Sequence, residues 1–191
     1  MIKGRFFWGL LVLVAFVGLV LVSSGALAQE GRNVLVYATS KEPNNLDPQG
    51  QMVNSNFRLI YHMYDGLCAL GPDVDVVYPQ LATSWDVSED GLTWVFHLRD
   101  DVYFEDGTHF DSSVVEFSFD RMFGIGGGQV SYNTSIKEVR PIDTYTVQFI
   151  LKEPFAAFIW VLASMMDRIV PPSVMEHEVD GDWATAWLSD H

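Results

Sequence analysis

Apolar positions in this chain follow two regimes. From Phe6 to Val22 they succeed one another almost without a break, whereas from Gln29 onward they recur with the periods of strands and helices. Val34 to Thr39 alternates weakly and is rich in β-formers, which predicts a strand running into the turn-dense Glu42-Pro43-Asn44-Asn45-Leu46-Asp47-Pro48. Phe57, Ile60, Tyr61 and Tyr64 lie at helical spacing and predict a helix over about 54–64, stopped by Asp65-Gly66. Thr83 to Val87 and Leu92 to Leu98 flank Ser88-Glu89-Asp90-Gly91, a turn whose glycine supplies the positive φ of a tight hairpin. In its second strand Trp94, Phe96 and Leu98 share one face, which predicts that this face is buried.

The second half continues in the same way. Asp111 can cap a helix reaching Arg121, with Val115, Phe119 and Met122 as its inward stripe. Gly124 and Gly126-Gly127-Gly128 then predict a flexible loop. Tyr145 to Leu151 alternates, with Val147, Phe149 and Leu151 on one face. Phe155 to Met166 reads as a buried helix after Pro154, and Pro171-Pro172 precedes a last helical stretch containing Trp183 and Trp187. No internal repeat or coiled-coil heptad is present.

The first 28 residues have the layout of an export signal. Lys3 and Arg5 give a basic start, the apolar run follows, and Ala26-Leu27-Ala28 is a small-x-small cleavage site before Gln29-Glu30. The run approaches the length of a membrane span, but Ser23, Ser24 and Gly25 interrupt it and favour cleavage near Ala28. The expectation is a periplasmic, soluble domain over 29–191.

Charge and cysteine usage narrow the class. The chain carries 25 acidic and 11 basic residues; losing Lys3 and Arg5 leaves 25 against 9, a mature charge of −16. Such a surface repels nucleic acid. A single cysteine, Cys68, allows no internal disulfide, so the fold rests on its hydrophobic core.

Catalytic and metal constellations are missing from the sequence. There is no Gly-x-Ser-x-Gly and no His-Glu-x-x-His, and His62, His97, His109, His177 and His191 are scattered without ligand spacing. Asp180-Gly181-Asp182 lacks the further donors of a calcium loop. Glu105-Asp106 is explained by an Asp-Gly turn. The residues therefore point to binding rather than catalysis, with no catalytic residue, metal or cofactor expected.

The order of short motifs carries a family resemblance. Leu35-Val36-Tyr37-Ala38, Asn45-Leu46-Asp47-Pro48, Tyr64-Asp65-Gly66-Leu67, Pro79-Gln80-Leu81-Ala82-Thr83-Ser84-Trp85, Asp90 to Arg99, Val102 to Thr108, Val114 to Arg121 and Asp143 to Phe149 succeed one another in this chain. That succession resembles the family 5 extracellular solute-binding proteins, the peptide- and nickel-type receptors of ABC importers. The resemblance implies an α/β, type II periplasmic binding protein-like fold of two lobes, of which this chain is expected to be the N-terminal part of lobe I.

It further implies a receptor, not an enzyme, that captures oligopeptides or dipeptides between its lobes and hands them to membrane permease subunits, as a monomer. A family member for nickel chelates, sugars or haem is the alternative within binding, and an exported enzyme with active residues past His191 is the alternative of another class. The cleft edge of lobe I corresponds to Met52, Val53, Asn54 and Ser55. Asn54 and Ser55 are equally suited to cap the following helix. Tyr132, Trp160 and Trp183 are expected to be mostly core.

Overall fold

The computed structural model describes residues 45–50, 56–73, 75–164 and 167–190. The chain divides into two units, Met1–Ala38 and Thr39–His191, and all that follows concerns the second. The export segment, the strand expected at Val34–Thr39 and the expected contact loop Met52–Ser55 lie outside the described residues.

The framework is an antiparallel sheet of four strands in the order β3-β4-β6-β5. β3 (Ala82–Val87) and β4 (Thr93–Leu98) form the predicted hairpin, and β5 (Ile136–Asp143) and β6 (Thr146–Leu151) form a second. The first hairpin turn is fixed by its own side chains. Gly91 has φ +69°, Ser88 Oγ donates to Asp90 Oδ1, and that oxygen also accepts from Leu92 N. These bonds hold the Asp90 carboxyl below its ordinary range.

β4 and β6 are the central pair, and each alternates between a half-covered and a buried face. Their register sets Trp94 opposite Phe149 and Phe96 opposite Val147, so both apolar faces point the same way. β5 was not foreseen. It is an edge strand containing Pro141, with irregular register at both ends, which is where a sheet tolerates proline.

The helix α2 (Ser112–Ile125) covers the apolar face. Phe119 meets Phe149 edge-on at 4.9 Å, Phe149 meets Phe96 at 5.4 Å, and Phe158 joins both Phe149 and Trp94. Asp111 caps the helix as expected, its Oδ1 accepting from Ser113 N and Val114 N at 2.8 and 3.2 Å. Asp111→Ala should therefore lower stability by about 1 kcal/mol in urea unfolding; an unchanged midpoint would show that the cap is idle.

Elsewhere the structure corrects the sequence reading. α2 runs four residues past Arg121 and includes Gly124; the left-handed stop is Gly126, φ +65°. The helix expected over 155–166 is only α3 (Phe158–Ala163), because Ser164 turns extended. Trp183 lies outside the last helix, α4 (Thr185–Asp190), with Trp183 and Ala184 both at positive φ. Tyr132 and Trp160 are exposed, not core. A small pair, β1 (Cys68–Leu70) and β2 (Val77–Pro79), and two 3-10 turns, Gly128–Ser131 and Pro172–His177, complete the described residues. Before β1 stands the short helix α1 (Phe57–Met63), within the predicted span. Among the described residues no helix is long and apolar enough to cross a membrane.

Candidate functional site

The two flanks of the expected contact loop are both described, and both are anchored. On the upstream side Asn45 Oδ1 accepts from Asp47 N, Asp47 Oδ1 accepts from Gln49 N, and Gly50 N donates to the Asp47 carbonyl. On the downstream side Asn56 is buried, and its carbonyl opens α1 by accepting from Leu59 N and Ile60 N at 3.0 Å. Asn54 and Ser55 lie outside the described residues, and the N-cap position of α1 belongs to Asn56, without a side-chain capping bond.

Beneath the upstream flank lies a buried cation. Arg121 is fully buried and donates from Nη1 and Nη2 to the two oxygens of Asp47 at 3.0 and 2.8 Å. Its Nη1 also reaches Gln49 Oε1 at 2.9 Å, and its Nε reaches the Trp183 carbonyl at 2.9 Å. Gln49 is held in turn, because its Nε2 donates to the Ser118 carbonyl and hydroxyl and to the Arg168 carbonyl. Charge, fork geometry and satisfied neighbours are what allow an arginine to stay buried.

A second buried arginine stands nearby. Arg168 Nη1 donates to Gln80 Oε1 at 3.2 Å, and its guanidinium lies 4.7 Å over the Tyr61 ring. Burial pulls its pKa down from the ordinary guanidinium value. Gln80 also accepts from Gly66 N and donates to Asp65 Oδ1. Gly66 is glycine for a spatial reason: a Cβ there would lie 3.2 Å from both the Arg168 side chain and the Asp167 carbonyl. Tyr64, in the same motif, has its hydroxyl pushed up to about 12 by burial and by Asp47.

Beside this seam opens a cavity of about 600 Å³. Tyr64, Leu81, Ile169 and Leu188 line it with apolar surface, while Asp65, Glu105, Asp106 and Glu176 bring carboxylates, and among the described residues no Lys or Arg lines it. Asp106 accepts from Ser173 Oγ and from Thr108 N, which keeps its carboxyl below the ordinary range. His177 stacks on Trp187 at 4.0 Å and 7°.

No nucleophile and base pair emerges from these groups, and among the described residues no cluster of His, Cys, Asp or Glu could hold a metal. Asp182 is a capping residue, accepting from Val179, Ala184 and Ala186 amides. His97 is a strand residue bonded to Asp86. Cys68 is buried and its thiol is pushed up to about 12, so it is inert. The arrangement offers hydrogen bonds, apolar contact and negative charge.

The sequence reading missed Arg121, Asp47 and Gln49. A usable signal was present: Val114, Ser118 and Arg121 repeat at i, i+4 and i+7 directly beside the predicted stripe, and all three are buried. A helix buried across both rows must find a counter-charge for its arginine.

Comparison with known proteins places these motifs in context. Residues 76–191 match the bacterial extracellular solute-binding proteins, family 5 (middle). The chain is 33% identical over 154 residues to the probable D,D-dipeptide-binding periplasmic protein DdpA of Escherichia coli K12, covering 78% of this chain and 30% of that protein. It is also 33% identical over 158 residues to the glutathione-binding protein GsiB of Escherichia coli O6:K15:H31, covering 82% and 30%. Among solved structures, AgaA of A. tumefaciens R10 in complex with agropinic acid superimposes with a TM-score of 0.66 at 32% identity, over 73% of this chain and 28% of AgaA. The chain thus spans about 30% of the length of the curated relatives it matches.

Proposed function

Because the chain belongs to the family 5 bacterial extracellular solute-binding proteins, we propose that it forms the N-terminal part of the first lobe of an ABC-importer receptor for dipeptides or oligopeptides. Its fold is part of the type II periplasmic binding protein fold. The family is made of substrate-binding proteins, and its curated relatives are periplasmic. The observation that carries the ligand class is that both curated relatives described above are named for peptides.

In this reading residues 1–28 direct export and are removed near Ala28, and 29–191 supply one wall of a ligand cleft. Met52, Val53, Asn54 and Ser55 offer backbone and polar contacts from that wall. Ligand touching both lobes stabilises the closed form, which membrane permease subunits then recognise. No catalytic step is required. Agropinic acid bound to AgaA supports a second reading, in which the ligand is a small non-peptide conjugate.

Thermal-shift titration of the complete translated product decides between them. A ligand that binds the native state raises the unfolding midpoint. Dipeptides and tripeptides are expected to do so; a rise with opine-type conjugates alone would favour the second reading, and turnover of any ligand would remove both. The N-terminus of the exported protein should read from about Gln29, and an intact Met1 would overturn the proposed cleavage.

A further inference from the structure

Asp167 is a buried carboxyl that has no paired cation among the described residues. It is 3% exposed, and Asn133 Nδ2 donates to its Oδ1 at 2.6 Å. Its Oδ2 has no hydrogen-bond partner among the described residues. Arg168 is adjacent in sequence, but its described partners are Gln80 and the Tyr61 ring. Among the described residues the group that hydrogen-bonds it is neutral: Asn133, after the first 3-10 turn, whose amide also meets the Met122 sulfur of α2; the charge that acts on it is that of the neighbouring Arg168, with which it forms no ion pair. Asp47, which is equally buried, shows the contrast, since both its oxygens meet Arg121.

We propose that Asp167 is a proton-binding site of the folded chain, carried as the neutral acid and taken up on folding. A lone ionised carboxylate without a paired cation is expensive to bury, and protonation removes that cost. The effect is delivered at a structural crossing. Ile169 N donates to the Asp65 carbonyl and Val170 N to Ser118 Oγ, so the segment following Asp167 ties the Asp65 turn to α2. Protonation tightens that crossing, independently of any reading of the ligand.

Burial raises the Asp167 carboxyl from 3.8 to about 7, against the opposing pull of Asn133 and Arg168. Below about pH 4 the group is protonated whether folded or not, and its contribution to stability is whole. Between about 4 and 7 the unfolded chain releases the proton while the folded chain keeps it, so stability falls as pH rises. Above about 7 both states are ionised and the loss is complete. The full span is at most roughly 10³-fold in the folding equilibrium.

Urea unfolding of the full chain and of Asp167→Asn at pH 4 to 8 tests the proposal. The two stability curves should run together near pH 4 and separate as pH rises, with the variant the more stable at pH 8. Other carboxylates held low, such as Asp90 and Asp182, are common to both proteins and cancel in the difference. Parallel curves would overturn the proposal. If the variant does not fold, the Asp167 carboxyl carbon resonance of the unaltered chain decides: a titration midpoint above about 5 supports it and one at or below about 5 overturns it.

Discussion

Arg121→Met should cost the protein about 3–5 kcal/mol, the loss typical of removing one member of a buried ion pair. The substitution strands the Asp47 carboxylate, which is fully buried and takes both Arg121 Nη donors. It also removes the donors that Gln49 Oε1 and the Trp183 carbonyl accept. A single domain holds only about 5–15 kcal/mol in total, so the variant should unfold at far lower urea than the parent. Adding Asp47→Leu should restore part of the loss, because the stranded charge then disappears. Recovery will be incomplete, since Gln49 and Trp183 still lack their donor. A single variant as stable as the parent would show that the ion pair contributes nothing net.

Phe149→Ala is the second large loss, also about 3–5 kcal/mol. The side chain is fully buried at the centre of the sheet and touches Phe96, Phe119 and Phe158, which come from β4, α2 and α3. Removing it empties the place where three elements meet, and none of them can move in without leaving its own register. Tyr132→Ala makes the comparison, because that ring is 54% exposed; its effect should stay within about 0.5 kcal/mol. Equal losses at the two positions would mean that the aromatic centre is not what holds the sheet.

The legible parts of this fold are those whose signal is local. The β3–β4 hairpin was readable because Ser88 to Gly91 carry their own turn chemistry and Trp94, Phe96 and Leu98 alternate with less buried residues. The start of α2 was readable because Asp111 bonds amides only two and three residues away. β5 escaped because Lys137, Glu138, Arg140 and Pro141 give it no alternating apolar face, and its place comes from pairing with β6. Gly124 reads as a loop residue from its glycine-rich surroundings, yet a Cβ there would fall 2.3 Å from the Trp183 ring, a constraint set 59 positions along the chain. A long separation in sequence likewise hides the role of Arg121: Asp47-Pro48 looks like an ordinary turn until the helix carrying its counter-ion is packed against it.

The motifs that carried the family resemblance also gain a physical meaning. Asn45 to Pro48 and Ser118 to Arg121 meet in one ion pair, and Tyr64 to Gly66 meets Gln80 and Arg168 in the adjoining seam. The contact positions proposed at Met52 to Ser55 carry no such local mark, since a polar pair before a helix serves as readily for capping as for binding.

The ties made by Arg121 span 74 residues back to Asp47 and 62 residues forward to Trp183. Such long closures are late events, because the chain loses the freedom of the intervening loops before the bonds return anything. As the polypeptide emerges from its N-terminus, the hairpins can gather while the guanidinium still sits in water, and the clasp shuts only once Trp183 has arrived. Loss of that clasp should accordingly hasten unfolding more than it slows folding, leaving a molecule that assembles on time but does not stay assembled.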